Sequence, residues 1–339
     1  MARKRPQKNR PGEPSLRNLD LDRLRAHHRL MLRIRALEET ALRGMAERVV
    51  LGAIHPSIGQ EAVAAGVIAQ LAPDDILLST HRGHGHTLAK GADAEAMIRE
   101  LLGRVGGTCG GKGGSMHIAD FSVGMLGANG VVGANIVIAA GAAHAIRLRG
   151  ERRVVVCIFG DGAINRGPFL EGLNWAAVFA LPVLFVCEDN GFAATTRTAA
   201  MTAGDGPAAR ARALGLHAEE VDGNDVLAVE DAARDAIAAL RDGGGPRFLL
   251  AHTYRFTGHT AADVAAYRPE AEVAARRAHD PIARAASWLA EAGVAAPDLA
   301  ADREAAQAEM ADAYAAALAA PFPAAAEAFR DVQDAGAPA

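Results

Sequence analysis

The apolar run Val154 to Phe159 stops abruptly at Gly160-Asp161-Gly162-Ala163, and this junction constrains the fold more than any other stretch of the chain. A run so short and so rich in β-branched residues reads as a strand buried on both faces. A helical pattern follows from about Pro168 to Ala180, with Pro168 suited to a first turn and Leu170, Leu173, Trp175, Ala177 and Val178 filling the face that would lie on a sheet. Pro182 ends that pattern, and Val183 to Cys187 reads as a second buried strand finishing in Glu188-Asp189-Asn190. Strand, helix and strand in this length form a βαβ unit, whose crossover is right-handed and whose strands are therefore parallel.

Parallel strands open their carboxyl ends on one edge of the sheet, where open α/β sheets bind ligands. Asp161 and Asn190 are expected to converge there, one offering a carboxylate oxygen and the other an amide oxygen. Hard oxygen donors, too few to enclose an ion, suit Mg²⁺ held jointly by protein and a diphosphate. Gly160 and Gly162 would let the backbone approach such an anion closely. A lone Gly-Asp-Gly is more often a plain turn. The βαβ context and the distance to Asn190 are what make it a site.

The 339 residues are 50% hydrophobic with a net charge of -4, which supplies a core and leaves no basic excess for nucleic acid. No run approaches the ~20 apolar residues of a membrane span. Met1 to Asn18 is basic but has no apolar centre, so it reads as a disordered tail rather than a secretory signal. Cys109, Cys157 and Cys187 form no disulfide framework, and a reducing cytoplasm is the expected compartment. The chain divides into that tail (1–20), an α/β domain (21–282) and an alanine-rich helical extension (283–339).

Along the α/β domain, Leu21 to Val50 and Gln60 to Leu71 read as helices and Asp74 to Thr80 as a short strand. Ser79 to His86 places His81, His84, His86 and Arg82 in a glycine-broken loop. No carboxylate or cysteine lies at ligand spacing, so histidines beside an anion fit better than a transition-metal site. Gly106 to Lys112 satisfies a nucleotide phosphate-loop pattern, but Gly113 stands where Ser or Thr is needed and a helix, Asp93 to Gly103, precedes it. That match is accidental, and a mobile or ligand-ordered loop is expected. Gly127 to Gly133 leads into an apolar helix, Ala134 to Leu148, without the preceding strand of a dinucleotide site. Helix (208–214), strand (218–221), helix (226–240) and strand (248–253) continue the domain. The last strand delivers Tyr254-Arg255-Phe256-Thr257-Gly258-His259 to the same sheet edge. Beyond Pro281, alanine-rich helices run to about Arg330.

The spacing from Gly160-Asp161-Gly162 to Asp189-Asn190 resembles the thiamine diphosphate signature, which closes on Asn-Asn. Four further motifs stand in order: His-Arg-Gly-His-Gly-His from His81, Gly-Gly-Lys-Gly-Gly-Ser-Met-His from Gly110, Gly-Ala-Asn-Gly-Val-Val-Gly from Gly127 and Tyr-Arg-x-x-Gly-His from Tyr254. With them, about His55 to Pro281 is similar to the alpha subunit of the first component of 2-oxoacid and acetoin dehydrogenase complexes. The resemblance implies the thiamine diphosphate-binding fold, a parallel α/β sheet with helices on both faces and helical N- and C-terminal extensions. It implies that Asp161, Asn190 and the Phe192 carbonyl bind Mg²⁺ and that Arg82, Arg255 and His259 meet the diphosphate. Gly160, Gly162 and Ala163 would line the diphosphate, Gly130 and Val132 would face the aminopyrimidine, and His81 and His259 are the catalytic histidines so implied. The cofactor itself supplies a carbanion nucleophile and an electron sink.

Several positions depart from the family pattern. Asp189 replaces the first Asn, Thr260 stands where Ser is frequent, and Asp263-Val264 replaces Ser-Asp-Pro. His81 stands where many pyruvate-type members have an aromatic residue. With Thr108 to Lys112 and Met116 to Asp120, it is more similar to the acetoin-cleaving branch, and a pyruvate or branched-chain 2-oxoacid enzyme is the alternative. The family's activating glutamate comes from a second domain that this chain lacks. The implied partners are therefore a beta subunit in an α2β2 heterotetramer, a lipoyl acyltransferase and a small carbonyl substrate, with neither nucleic acid nor membrane. A non-catalytic diphosphate-binding module would be expected to have lost part of the charged set. An enzyme of the transketolase type would lack the Lys112 and His259 loops.

Overall fold

The structure, a computed structural model, describes residues 20–50 and 52–331; the tail expected over Met1 to Asn18 lies outside the described residues. Two helices, α1 (Leu21–Ala46) and α2 (Glu61–Ile68), precede strand β1 (Ile76–Leu78), helices α3 (His84–Ala89) and α4 (Ala94–Leu101), and strand β2 (Met125–Gly127). The central unit follows: α5 (Ala134–Leu148), β3 (Val155–Gly160), α6 (Gly167–Val178) and β4 (Val183–Asp189). A two-residue hairpin, β5 (Phe192–Ala193) with β6 (Thr196–Arg197), leads to α7 (Gly206–Ala213), β7 (His217–Asp222), α8 (Val226–Arg241) and β8 (Arg247–His252). Helices α9 (Glu270–Arg277), α10 (Pro281–Glu291) and α11 (Ala296–Ala319) follow, with a short 3-10 turn (Ala325–Phe329) after them.

Six strands form one parallel sheet in the order β2-β1-β3-β4-β8-β7. Side-chain alternation sends Val156, Ile158, Leu184 and Val186 to one face, where they pack with α1, α2, α4 and α8. Val155, Cys157, Phe159, Phe185 and Cys187 face the other way, onto α5, α6 and α7. Burial on both faces is why these strands are continuous apolar runs rather than alternating ones. After β1 the chain moves outward to β2, and after β3 it moves the other way to β4, so the connections diverge between β1 and β3. A crevice opens at such a divergence, outside the carboxyl ends of the strands.

Four expectations need correction. Of the five apolar α6 residues expected on the sheet, Leu173 is buried, but Leu170, Trp175 and Val178 are exposed and Phe169 and Ala176 pack inward instead. A strand does precede the turn at Gly127 to Gly133, because β2 ends at Gly127, its place set by pairing with β1. His84 and His86 lie in a helix, α3, because Gly85 is not a breaker there: a Cβ on it would sit 2.7 Å from Ile34 Cγ2, so the missing side chain lets α3 pack against α1. The glycine-rich segment before Ser115 is also held without any ligand. The buried Glu100 carboxylate accepts the backbone N–H groups of Cys109 and Gly111 (2.8 Å each), Gly113 (2.6 Å) and Gly114 (3.0 Å). Those donors, which a phosphate would need, are spent on an internal acid.

Candidate active site

The crevice at the β1/β3 divergence is a cavity of about 320 Å³. All twelve residues expected at the site line it: His81, Arg82, Gly130, Val132, Gly160, Asp161, Gly162, Ala163, Asn190, Phe192, Arg255 and His259. Three segments deliver most of them. β1 ends directly before Ser79 to Arg82, β3 turns through a 3-10 segment (Asp161–Asn165), and β4 ends at Asp189, just before Asn190. Sequence reasoning did not single out His55, Gln60, Met116 and Glu188, which line the same cavity. His55 and Gln60 stood beside a helix start without a motif of their own. Glu188 carried a signal that went unused, since strand alternation places it on the α3 side, where its Oε1 lies 3.3 Å from His86 Nε2.

The two arginines face the cavity without a carboxylate hydrogen-bond partner. Arg82 donates to the carbonyls of Pro56 and His259 and to His259 Nδ1, each at 2.8 Å. Arg255 donates to the Thr257 carbonyl and the Tyr267 hydroxyl. Burial and the neighbouring Arg255 pull the Arg82 guanidinium down to about 9, and burial likewise lowers Arg255. Two buried cations held close by neutral acceptors are poised for an anion with several oxygens. Around Arg82, the rings of His55, His81 and His259 cluster with centroids 4.7 to 5.9 Å apart. Burial and Arg82 hold these imidazoles at about 4, about 2 and about 4, so all three are neutral at pH 7. The bond from Arg82 to His259 Nδ1 leaves the His259 proton on Nε2.

In the same cavity, Asp161 is 2% exposed and its Oδ2 has no hydrogen-bond partner. Burial, with Asp189 beside it, raises its carboxyl to about 7. Burial also works against Asp189, but His252, Asp161 and the Gly191 N–H outweigh it and keep that group below the usual range. An acid pair of this kind holds one proton or one cation. Asn190 donates to Gln60 Oε1 at 3.3 Å and accepts the Phe192 N–H at 3.1 Å, which bends the chain after β4 over Asp161. The glycines of the turn differ. A Cβ on Gly160 would meet only the Glu188 carbonyl at 3.9 Å, whereas one on Gly162 would stand 2.9 Å from Ala193 Cβ, so Gly162 seats the β5 hairpin. Among the described residues no group of three or more His, Cys, Asp or Glu has the geometry of a metal cage.

The family model of the dehydrogenase E1 component matches residues 29–326. The chain belongs to the dehydrogenase E1 component family. Among its relatives, the alpha subunit of acetoin:2,6-dichlorophenolindophenol oxidoreductase of Bacillus subtilis is 48% identical over 71% of this chain and 73% of its own length. The corresponding subunit of Cupriavidus necator is 45% identical over 75% of this chain and 77% of its own. The pyruvate dehydrogenase E1 alpha subunit of Rhizobium meliloti is 39% identical, over 82% and 80%. E1 dehydrogenases are thiamine diphosphate-dependent oxidoreductases, and the cavity of this E1 chain fits that cofactor: paired guanidiniums for a diphosphate, an orphaned buried carboxylate oxygen for a cation and an apolar wall of Val131, Val132, Ile136 and Ile158 for rings. No helix among the described residues is long and apolar enough to cross a membrane.

Proposed function

We propose that this E1 chain is the alpha subunit of an acetoin-cleaving dehydrogenase and that its cavity takes thiamine diphosphate with Mg²⁺. The observation that carries the substrate choice is the higher identity to the two acetoin oxidoreductase subunits, 48% and 45%, than to the pyruvate-type subunit at 39%. The neutral histidines agree with it, since an uncharged hydroxyketone needs no cationic anchor. The pyruvate or branched-chain 2-oxoacid reading stands second, because pyruvate-type relatives match over more of the chain.

When bound, thiamine diphosphate supplies the nucleophilic carbon and the electron sink for carbon–carbon cleavage. The chain's residues do the rest. Asp161, Asn190 and the Phe192 carbonyl would hold the Mg²⁺, and Arg82, Arg255 and His259 would take the diphosphate oxygens. The backbone of Gly160, Gly162 and Ala163 would line the diphosphate, and Gly130 and Val132 would face the aminopyrimidine. His81 and His259 are both neutral and partly exposed in the cavity; His81 would donate or accept a proton at the substrate oxygen, and His259, its Nδ1 taken by Arg82, would offer its Nε2 proton to the diphosphate or to that oxygen.

Activating the cofactor needs a carboxylate at its far end, and the carboxylates lining the cavity are Asp161, assigned to the metal, and Glu188, engaged by His86. A beta subunit in an α2β2 assembly would supply the missing one, and a lipoyl acyltransferase would receive the acyl group. Exposed apolar residues support such a partner: Val131 and Val132 at the cavity, and Val137, Ile138, Leu148, Leu170, Trp175 and Val178 along α5 and α6. The substrate test is to purify the chain with its partner subunit and compare kcat/KM for acetoin and pyruvate. We expect a preference for acetoin of about tenfold or more, whereas a preference for pyruvate would install the second reading.

A further inference from the structure

His84 and His86, the last two histidines of the motif that begins at His81, do not line the cavity. His84 is fully buried, with Nδ1 3.0 Å from Glu38 Oε2 and Nε2 2.9 Å from Ser115 Oγ. The other Glu38 oxygen accepts both the backbone N–H of Ser57 (3.1 Å) and its hydroxyl (2.7 Å). Burial pushes the Glu38 carboxyl up, but His84 and the Ser57 donors outweigh it and hold the group below its ordinary range. A buried polar pair of this kind is a weak source of net stability, because packed apolar residues of the same volume often do as well or better. Its retention calls for another reason, and its connections supply one.

Four segments meet at this pair: α1 through Glu38, the stretch before α2 through Ser57, the start of α3 through His84, and the end of the glycine-rich loop through Ser115. Three of them carry cavity residues within a few positions: His55 and Gln60, then His81 and Arg82, then Met116. The joints are short and inflexible. Arg82 is two residues before His84, and Met116 directly follows Ser115. The Arg82 guanidinium also donates to the Pro56 carbonyl, next to Ser57, which ties two of the segments a second time.

We propose that the Glu38–His84 pair, with Ser57 and Ser115, is a buried hub that registers the three cavity-lining segments, and that His84 is a positioning residue for Arg82 and Met116. The inference rests on the cavity being the thiamine diphosphate site. Because hydrogen-bonded networks of this kind act as a unit, loosening one arm is felt in the others.

The test uses the full chain and the mildest change, Ser115→Ala, which removes one hydroxyl and no charge. Amide exchange is measured without ligand, and binding of thiamine diphosphate with Mg²⁺ by calorimetry. Exchange should quicken about tenfold or more in residues 55–60 and 80–83, which are distant in sequence from Ser115. Binding should weaken about tenfold, and Ser115→Thr should restore both. Asp302→Asn is the control. It breaks the pairs that Asp302 makes with Arg25 and Arg29 between α1 and α11, and it should lower stability while leaving both readouts in place. Quickening confined to residues 106–117, or variant affinity within about twofold of wild type, would overturn the hub. Failure of the wild-type chain to bind thiamine diphosphate would instead overturn the cofactor reading, with the exchange data left to decide the hub.

Discussion

Asp161 shows how one residue links folding, pH and binding. Its folded carboxyl is raised by burial and by Asp189 to about 7, so between its ordinary range near 4 and about 7 the folded chain holds a proton that the unfolded chain releases. Stability without ligand is therefore expected to fall as pH rises through that window and to level off above it. A cation must displace the same proton. Mg²⁺-dependent binding of thiamine diphosphate should accordingly be about tenfold weaker at pH 6 than at pH 8. Calorimetric titration across pH reads this directly. Asp161→Asn should abolish the Mg²⁺ dependence together with the pH dependence. Unchanged affinity in that variant would remove the metal assignment.

Among the elements, the glycine-rich loop offers the sharpest test, because Glu100 holds it by four backbone donors. In Glu100→Gln one oxygen becomes an NH₂ that faces donors instead of accepting from them. Leaving two part-buried N–H groups unpaired, at roughly 1 kcal/mol each, should cost about 2 kcal/mol. Denaturant unfolding measures the loss, and limited proteolysis should then cut within residues 106–114. A variant as stable as wild type would show that the loop is held by something else.

That carboxylate also marks where sequence reading stops. Buried β-branched runs made β3 and β4 legible, and with them the edge on which Asp161 and Asn190 meet. β2 was not legible, since Met125-Leu126-Gly127 has neither the length nor the branching of a strand and is set by pairing with β1. Helix α3 was hidden by Gly83 and Gly85, whose meaning lies in close packing rather than in a turn. Glu38 and Glu100 sit on helices where a charge ordinarily marks the solvated side. Only the tertiary structure shows that both are buried and surrounded by donors. Every expected site residue reached the cavity because the motifs lie at strand ends, whereas their supports are scattered through helices that carry no motif.

At the scale of the whole molecule, two arginines and the orphaned Asp161 carboxylate share one cavity whose other carboxylate, Glu188, is engaged by His86, so on the proposed reading none is left there to activate the cofactor. Val131, 63% exposed, lines that cavity, and α5 and α6 carry further exposed apolar residues, Val178 at 68% and Leu148 at 78%. Faces of this kind mark contact with another protein. Half a site beside an uncovered apolar surface is what one subunit of a shared active site should look like, and from this follows the central claim that catalysis needs a second chain. The most direct measurement mixes the purified chain with thiamine diphosphate, Mg²⁺, acetoin and an artificial electron acceptor, first alone and then with the beta subunit. Cofactor should bind in both samples, and the acceptor should be reduced only in the second. Reduction by the chain alone at a rate comparable to the mixture would contradict that claim and would require an activating carboxylate within these 339 residues.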